Sequence, residues 1–239
     1  TCALPICAES QSEIAAGISV VRGEQVRRDG GQHLQDAVQA VPNVHWAGGT
    51  ARPRYFQVRG IGERSQYAGE GAPNFSVGFV VDGIDMSGLG TGALFDLQQV
   101  EVFKGPQSSV FGANALAGLI NIESAEPSSE ARRAVSFSVG GDGLLRAEGV
   151  INAPITDRFA LRAGYQRAAS NGFRDNAYLG VDDSNRRREG LLRLKARYAA
   201  SSGLLLKATL FRADGDNGYD MWSDRKSTRL NSSHLVISY

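Results

Sequence analysis

The sequence predicts an α+β domain, a small mixed sheet with short helices, followed by the antiparallel strands of an incomplete transmembrane β-barrel. Three observations carry this. Over roughly the first half, helical and strand periodicities alternate in short stretches. From Ala134 the pattern turns to pure period two. The connections between these later strands are short at one end (NAPITD, AASSG) and long and polar at the other (SNGFRDNAYLGVDDSNRRREG, with DGDNGYDMWS opening a second). Alternation alone suits a half-buried soluble sheet; the unequal connections are the mark of an outer-membrane barrel.

In chain order, ISVV (18–21) reads as a short buried strand and GEQVRR as the start of a polar turn. In QHLQDAVQAVPNV, Leu34, Ala37, Val38 and Val41 recur at i, i+3, i+4 and i+7, one face of a helix that Pro42 stops. RYFQVRG alternates as a strand. VGFVVDGIDM places apolar runs around Asp82-Gly83, a hairpin signal because a type I′ turn needs positive φ at both central residues. QQVEVF is a further strand. Pro106 in KGPQSSVFG stands where a helix can begin, with Gly112 as its stop, and LINIES closes the segment as a strand. Beyond Ala134, Phe159, Leu161, Ala163 and Tyr165 share one face against Arg162, Gly164 and Gln166. Leu192, Leu194, Ala196 and Tyr198 likewise oppose Arg193, Lys195 and Arg197. In a barrel the cations line a wet lumen and the apolar rows meet lipid.

The 239 residues, 42% hydrophobic, suffice for one or two domains with a core. A net charge of +1 argues against a nucleic-acid polycation. No apolar run reaches about 18 residues, so no membrane-spanning helix is predicted, and TCALPICAES lacks the basic start of a signal peptide. The 29 glycines follow no Gly-X-Y period and point to turns and close backbone approaches. Cys2 and Cys7 have no partners for a redox or zinc motif. The ends differ in texture from the rest. DRKSTRLNSSH (224–234), with LVISY after it, resembles the translation of a short-read sequencing adapter, and TCALPI (1–6) resembles another. Residues 1–7 and 224–239 are therefore expected to be adapter-derived, leaving 8–130 as the first domain and 131–223 as the first barrel strands. Setting aside Arg225, Lys226, Arg229 and Asp224 leaves a charge of −1, with no basic arm.

Enzymatic chemistry is not visible. Glu101 alternates with Val100 and Val102, and Asp96 or Glu123 would have to supply a second acid at matched geometry. His33 and His45 lack a third ligand at metal spacing. Ser108 and Ser109 do not form G-x-S-x-G, and the glycines at 48–49 and 88–92 fit neither a phosphate loop nor a dinucleotide fingerprint. No enzyme, resident metal or cofactor is expected.

ISVVRGEQV, LQDAVQAVPNV, FQVRGIG, VGFVVDGIDM and FDLQQVEVFKGPQSSVFGANALAGLINIESAEP, in this order, resemble the plug domain of TonB-dependent outer-membrane receptors over residues 18–127. The later strands fit the start of those receptors' barrel. The resemblance implies a truncated piece of an outer-membrane active transporter from a Gram-negative bacterium. Ferric siderophore is the favoured cargo, with cobalamin, haem or saccharide uptake as alternatives. Its implied partners are TonB with the inner-membrane energising complex, outer-membrane lipid and a small-molecule ligand, with no nucleic acid. A ligand-sensing signalling receptor is a rival reading; a soluble periplasmic α+β protein is a more distant one. Family geometry places ligand contacts on apex loops, making Arg64, Gln66, Tyr67, Ser87 and Leu89 the candidates. It also implies that Arg59 and Lys104 face carboxylates of the barrel wall. Gly60, Asp82, Gly83, Glu101, Gly105, Pro106 and Gly112 are its structural motif positions.

Overall fold

The structure is a computed structural model that describes residues 17–31, 33–47, 55–63, 75–88, 94–107, 114–175, 180–201 and 203–218, and the backbone of 229–238. The chain divides into two compact units, Thr1–Ala125 and Glu126–Tyr239.

The first unit contains β1 (Ile18–Arg22), α1 (Gly23–Arg28), α2 (Leu34–Gln39), β2 (Val44–Ala47), β3 (Tyr55–Val58), β4 (Ile61–Gly62), β5 (Val77–Val81), β6 (Ile84–Asp85), β7 (Leu97–Phe103) and β8 (Gly118–Ser124). Its main sheet runs in the order β1-β7-β8-β5-β6, and β2-β3-β4 form a separate small sheet. β5 and β8 pair in parallel while the other neighbours are antiparallel, which makes the main sheet mixed. All five residues of β5 are buried, as a central strand covered on both faces requires. Phe103, Leu119 and Val80 centre the core, with Ile18 packed against it.

The helix expected around Leu34 forms, and Leu34, Ala37, Val38 and Val41 are all buried. It begins where the His33 N–H donates to Asp36 Oδ2 at 3.0 Å, satisfying a donor that has no partner inside the helix. It ends at Gln39, three residues before Pro42. GEQVRR departs from the expected turn and is helix α1. Its single buried side chain, Val26, gives too little apolar period to read from sequence. The buried Gly23 lets the helix start against the Leu97 carbonyl, and Arg28 pairs with Glu24 at 3.0 Å across one turn. The helix expected after Pro106 falls on residues 108–113, outside the described residues. At its expected start Pro106 and Gln107 carry no helical assignment.

The second unit contains β9 (Arg132–Val139), β10 (Leu145–Thr156), β11 (Phe159–Ser170), β12 (Arg187–Ser201), β13 (Leu204–Gly218) and β14 (Arg229–Ser238), an antiparallel sheet in sequence order with β9 and β14 at its edges. The faces are inverted relative to a soluble sheet. Arg162 (9%), Gln166 (4%), Arg193 (4%) and Lys195 (4%) are buried, whereas Leu161 (39%), Tyr165 (53%), Leu194 (39%) and Tyr198 (44%) are exposed. On β9 Val135, Phe137 and Val139 are exposed as well. β12 starts at Arg187 and β13 runs to Gly218, so RREG (187–190) and DGDNG (214–218), expected in loops, are strand. Polar side chains do not interrupt a ladder made by backbone groups. Here they reinforce it: Asn217 donates to Glu189 at 3.0 Å and accepts the Arg188 N–H at 2.9 Å. β14 falls within the adapter-like tail, paired along β13 from Thr209 to Gly218. An unpaired strand edge accepts any extended segment, since the ladder is sequence-independent.

Candidate functional site

β5 and β8 run parallel from Val77 and Gly118, and β6 returns antiparallel to β5, so the starts of β5 and β8 and the end of β6 share one end of the sheet. Three segments spring from that end, and the side chains at their bases are joined. Glu63 accepts the Ser76 N–H at 2.9 and 3.1 Å and the Ser76 hydroxyl at 2.6 Å, closing the chain on either side of residues 64–74. Phe75 stacks on Tyr55 with centroids 6.2 Å apart. The same ring lies against Gly88, whose φ of 79° and lack of a side chain let the second segment pass. Asp85 accepts the Ser87 N–H at 2.9 Å and the Asn114 side-chain amide at 2.9 Å, tying the second segment to the third. The Ala117 N–H then donates to the Ser76 carbonyl at 2.7 Å, linking the third back to the first. Burial works against the Asp85 charge, yet the bonds from Ser87 and Asn114 outweigh it and hold the carboxyl below its usual range. This arrangement holds Glu63, Ser76, Asp85, Ser87, Asn114 and Ala117 together at one end of the sheet.

Of the expected ligand residues, Ser87 belongs to this cluster, where its hydroxyl oxygen accepts the Phe79 N–H at 3.0 Å. Arg64, Gln66, Tyr67 and Leu89 lie outside the described residues, as does Gly112. Sequence reasoning missed Glu63, Asp85 and Asn114. Glu63 and Asp85 each stand beside an expected loop, and that position is the one signal that could have found them.

The two expected cationic positions are neighbours. A methyl group at Gly17 would stand 3.0 Å from Arg59 Nη2 and 3.6 Å from Lys104 Cβ, and the Lys104 N–H donates to the Gly17 carbonyl at 2.7 Å. Arg59 and Gly60 form the β3–β4 turn with φ of 54° and 83°, and Asp82 and Gly83 form the β5–β6 turn with 50° and 82°. Both turns are of the primed kind that matches strand twist. The Asp82 carboxylate also accepts the Ser124 N–H at 2.9 Å and its hydroxyl at 2.7 Å, fastening the hairpin to the end of β8. Gly105, at φ 148°, leads β7 into Pro106. Glu101 is buried beneath two amides: Gln99 donates to it at 2.7 Å and Asn121 at 3.0 Å, while Gln99 also reaches Glu123 at 3.1 Å. Burial pushes its carboxyl up, and the Asn121 and Gln99 bonds only partly oppose this.

Comparison with known proteins finds a matching family. Residues 10–119 match the family model of the TonB-dependent receptor plug domain. The pesticin receptor of Yersinia enterocolitica is 29% identical over 167 residues, 67% of this chain and 25% of that protein. The vitamin B12 transporter BtuB of Vibrio vulnificus is 25% identical over 144 residues, 57% of this chain and 22% of that protein. Among solved structures, the ferric yersiniabactin uptake receptor FyuA from Yersinia pestis shares the fold at a TM-score of 0.74 and 22% identity, covering 84% of this chain and 32% of that one. The chain spans about a quarter or less of the length of these curated relatives.

Proposed function

We propose that this chain, whose residues 10–119 match the TonB-dependent receptor plug domain, is a piece of a TonB-dependent receptor of the Gram-negative outer membrane. It supplies the plug and first barrel strands of an active transporter whose cargo is a ferric siderophore. One observation carries the transport reading: the second unit buries Arg162, Arg193 and Lys195 while exposing Leu161, Tyr165, Leu194 and Tyr198. That arrangement is stable only with lipid on one side and a polar interior on the other. Cargo binds at the outer face of plug and barrel, with the loops rising from the Glu63, Asp85 and Asn114 cluster as contacts and Arg64, Gln66 and Tyr67 as the leading residues. A guanidinium and an aromatic ring suit an anionic ferric chelate. TonB, energised from the inner membrane, then deforms the plug and opens a path; no covalent bond is made or broken. Arg59 and Lys104 pair with carboxylates of the wall and hold the closed plug until then.

The similarity to a ferric yersiniabactin receptor supports a ferric chelate, and the similarity to a vitamin B12 transporter makes cobalamin the second reading. The test uses the full-length receptor in cells lacking other receptors. Radioactive iron supplied as catecholate and phenolate chelates should be taken up, and deleting TonB should abolish the uptake. Labelled cyanocobalamin entering instead would reassign the cargo. Accumulation that survives TonB deletion would sink the active-transport reading.

A further inference from the structure

The segment joining the two units is bonded to the second one at three successive points. Glu126 accepts a hydrogen bond from Lys195 Nζ at 2.8 Å and lies 3.2 Å from Lys207 Nζ, so β12 and β13 grip one carboxylate. Two residues on, Asn152 of β10 closes on the backbone. Its amide donates to the Ser128 carbonyl at 3.0 Å and the Glu130 carbonyl at 2.6 Å, while its oxygen accepts the Ser128 N–H at 3.1 Å. Asn152 and Lys195 are almost wholly buried. Asn152 is opposite Arg162, and Arg162 is opposite Lys195, so the two anchors stand in one row two strands apart. At about 4.8 Å per strand that row spans roughly 10 Å, the reach of about three extended residues, which is the separation of Glu126 from the Ser128–Glu130 carbonyls. The segment therefore crosses the strands instead of following them.

We infer that residues 126–131 form a strap that fixes the end of the plug to the barrel wall, with Glu126 and Asn152 as its positioning residues, so that tension applied at the plug's N-terminal side stops at Ala125. This rests on the transporter reading for its purpose, though not for its geometry. Burial opposes the Glu126 charge, but the Lys195 hydrogen bond and the Lys195 and Lys207 charges hold the carboxyl below its usual range, so the grip is ionised at neutral pH. A strap of this kind lets the plug be remodelled and recovered without slack entering from the barrel side.

The test is force spectroscopy on the full-length receptor in a bilayer, pulled by its N-terminus with no cargo added, so its outcome does not depend on which cargo the receptor takes. In the unaltered receptor the last rupture before barrel extraction should fall at the contour length of the residues up to Ala125. In Glu126→Gln combined with Asn152→Leu it should move outward by about six residues, roughly 20 Å. With Asn152 retained, Glu126→Lys alone should move it outward by about two residues, and the full exchange E126K/K195E/K207E should return it to the original position, which a general weakening of the fold would not do. An unchanged rupture position in the double variant overturns the strap, as does failure of the exchange to restore it in a receptor that still reaches the bilayer with the heat-shifted gel mobility of a closed barrel.

Discussion

Single residues in the plug divide sharply by what surrounds them. A methyl group at Gly83 would meet nothing within 4 Å, so Gly83→Ala carries only the cost of positive φ, about 1–2 kcal/mol. At Gly23 the same methyl would run into the Leu97 carbonyl, a backbone atom that cannot step aside. Gly23→Ala should therefore cost more than Gly83→Ala, by denaturant melting of the refolded receptor monitored at the plug. Asp82→Ala strips the charged acceptor from Ser124 and should cost about 1.5–3 kcal/mol in the same measurement. Glu101 has the opposite electrostatic sense. Because burial sets its folded value above the unfolded value of about 4.3, its contribution is complete below that pH and is lost as pH rises through the raised value. Hydrogen exchange at β7 and β8, corrected for intrinsic rates, should show protection falling from pH 5 to pH 8. Glu101→Gln should flatten that trend, the Gln99 amide turning to accept from the new side chain. A trend that survives the substitution assigns the pH dependence to another group.

Elements were legible wherever periodicity and turn chemistry agreed. Asp82-Gly83 between apolar runs, and the i, i+3, i+4 face of α2, are local signals that tertiary packing only confirms, although the helix stops before the i+7 position, Val41. α1 was not legible, because one buried valine and a glycine contact with β7 make no pattern in the chain. The ends of β12 and β13 were misjudged for a related reason: charge and asparagine argue for loop, yet backbone pairing between strands ignores side-chain polarity at the rim. The loop-base cluster was hidden as well, since Glu63 finds Ser76 and Asp85 finds Asn114 only once the parallel β5–β8 pairing exists. The inverted faces of β11 and β12 yield their own prediction. Tyr165→Lys, on the exposed apolar row, should destabilise the receptor in lipid vesicles by about 2–4 kcal/mol if it sits near the bilayer centre. The same lysine should be nearly silent in the plug's hydrogen exchange. Equal damage in both readouts would contradict a lipid-facing row.

For the whole molecule, the 239-residue chain expressed by itself should not behave as a barrel. Its described strands leave edges at β9 and β14, and unpaired backbone groups in hydrocarbon cost several kcal/mol each. We expect aggregation, or a folded first unit with frayed strands, and no heat-dependent shift in gel mobility. A monodisperse membrane-inserted product would refute this.

The inverted sheet also orders events in time. The first unit has a dry core of Phe103, Leu119 and Val80 and can complete itself in water. The second presents Val135, Phe137, Val139, Leu161 and Tyr165 outward, an apolar surface that water disfavours. On the transporter reading proposed above, the plug can therefore mature before the strands reach the bilayer. The grip on Glu126 needs β12 and β13 side by side, so on the same reading it closes with the sheet and marks completed assembly.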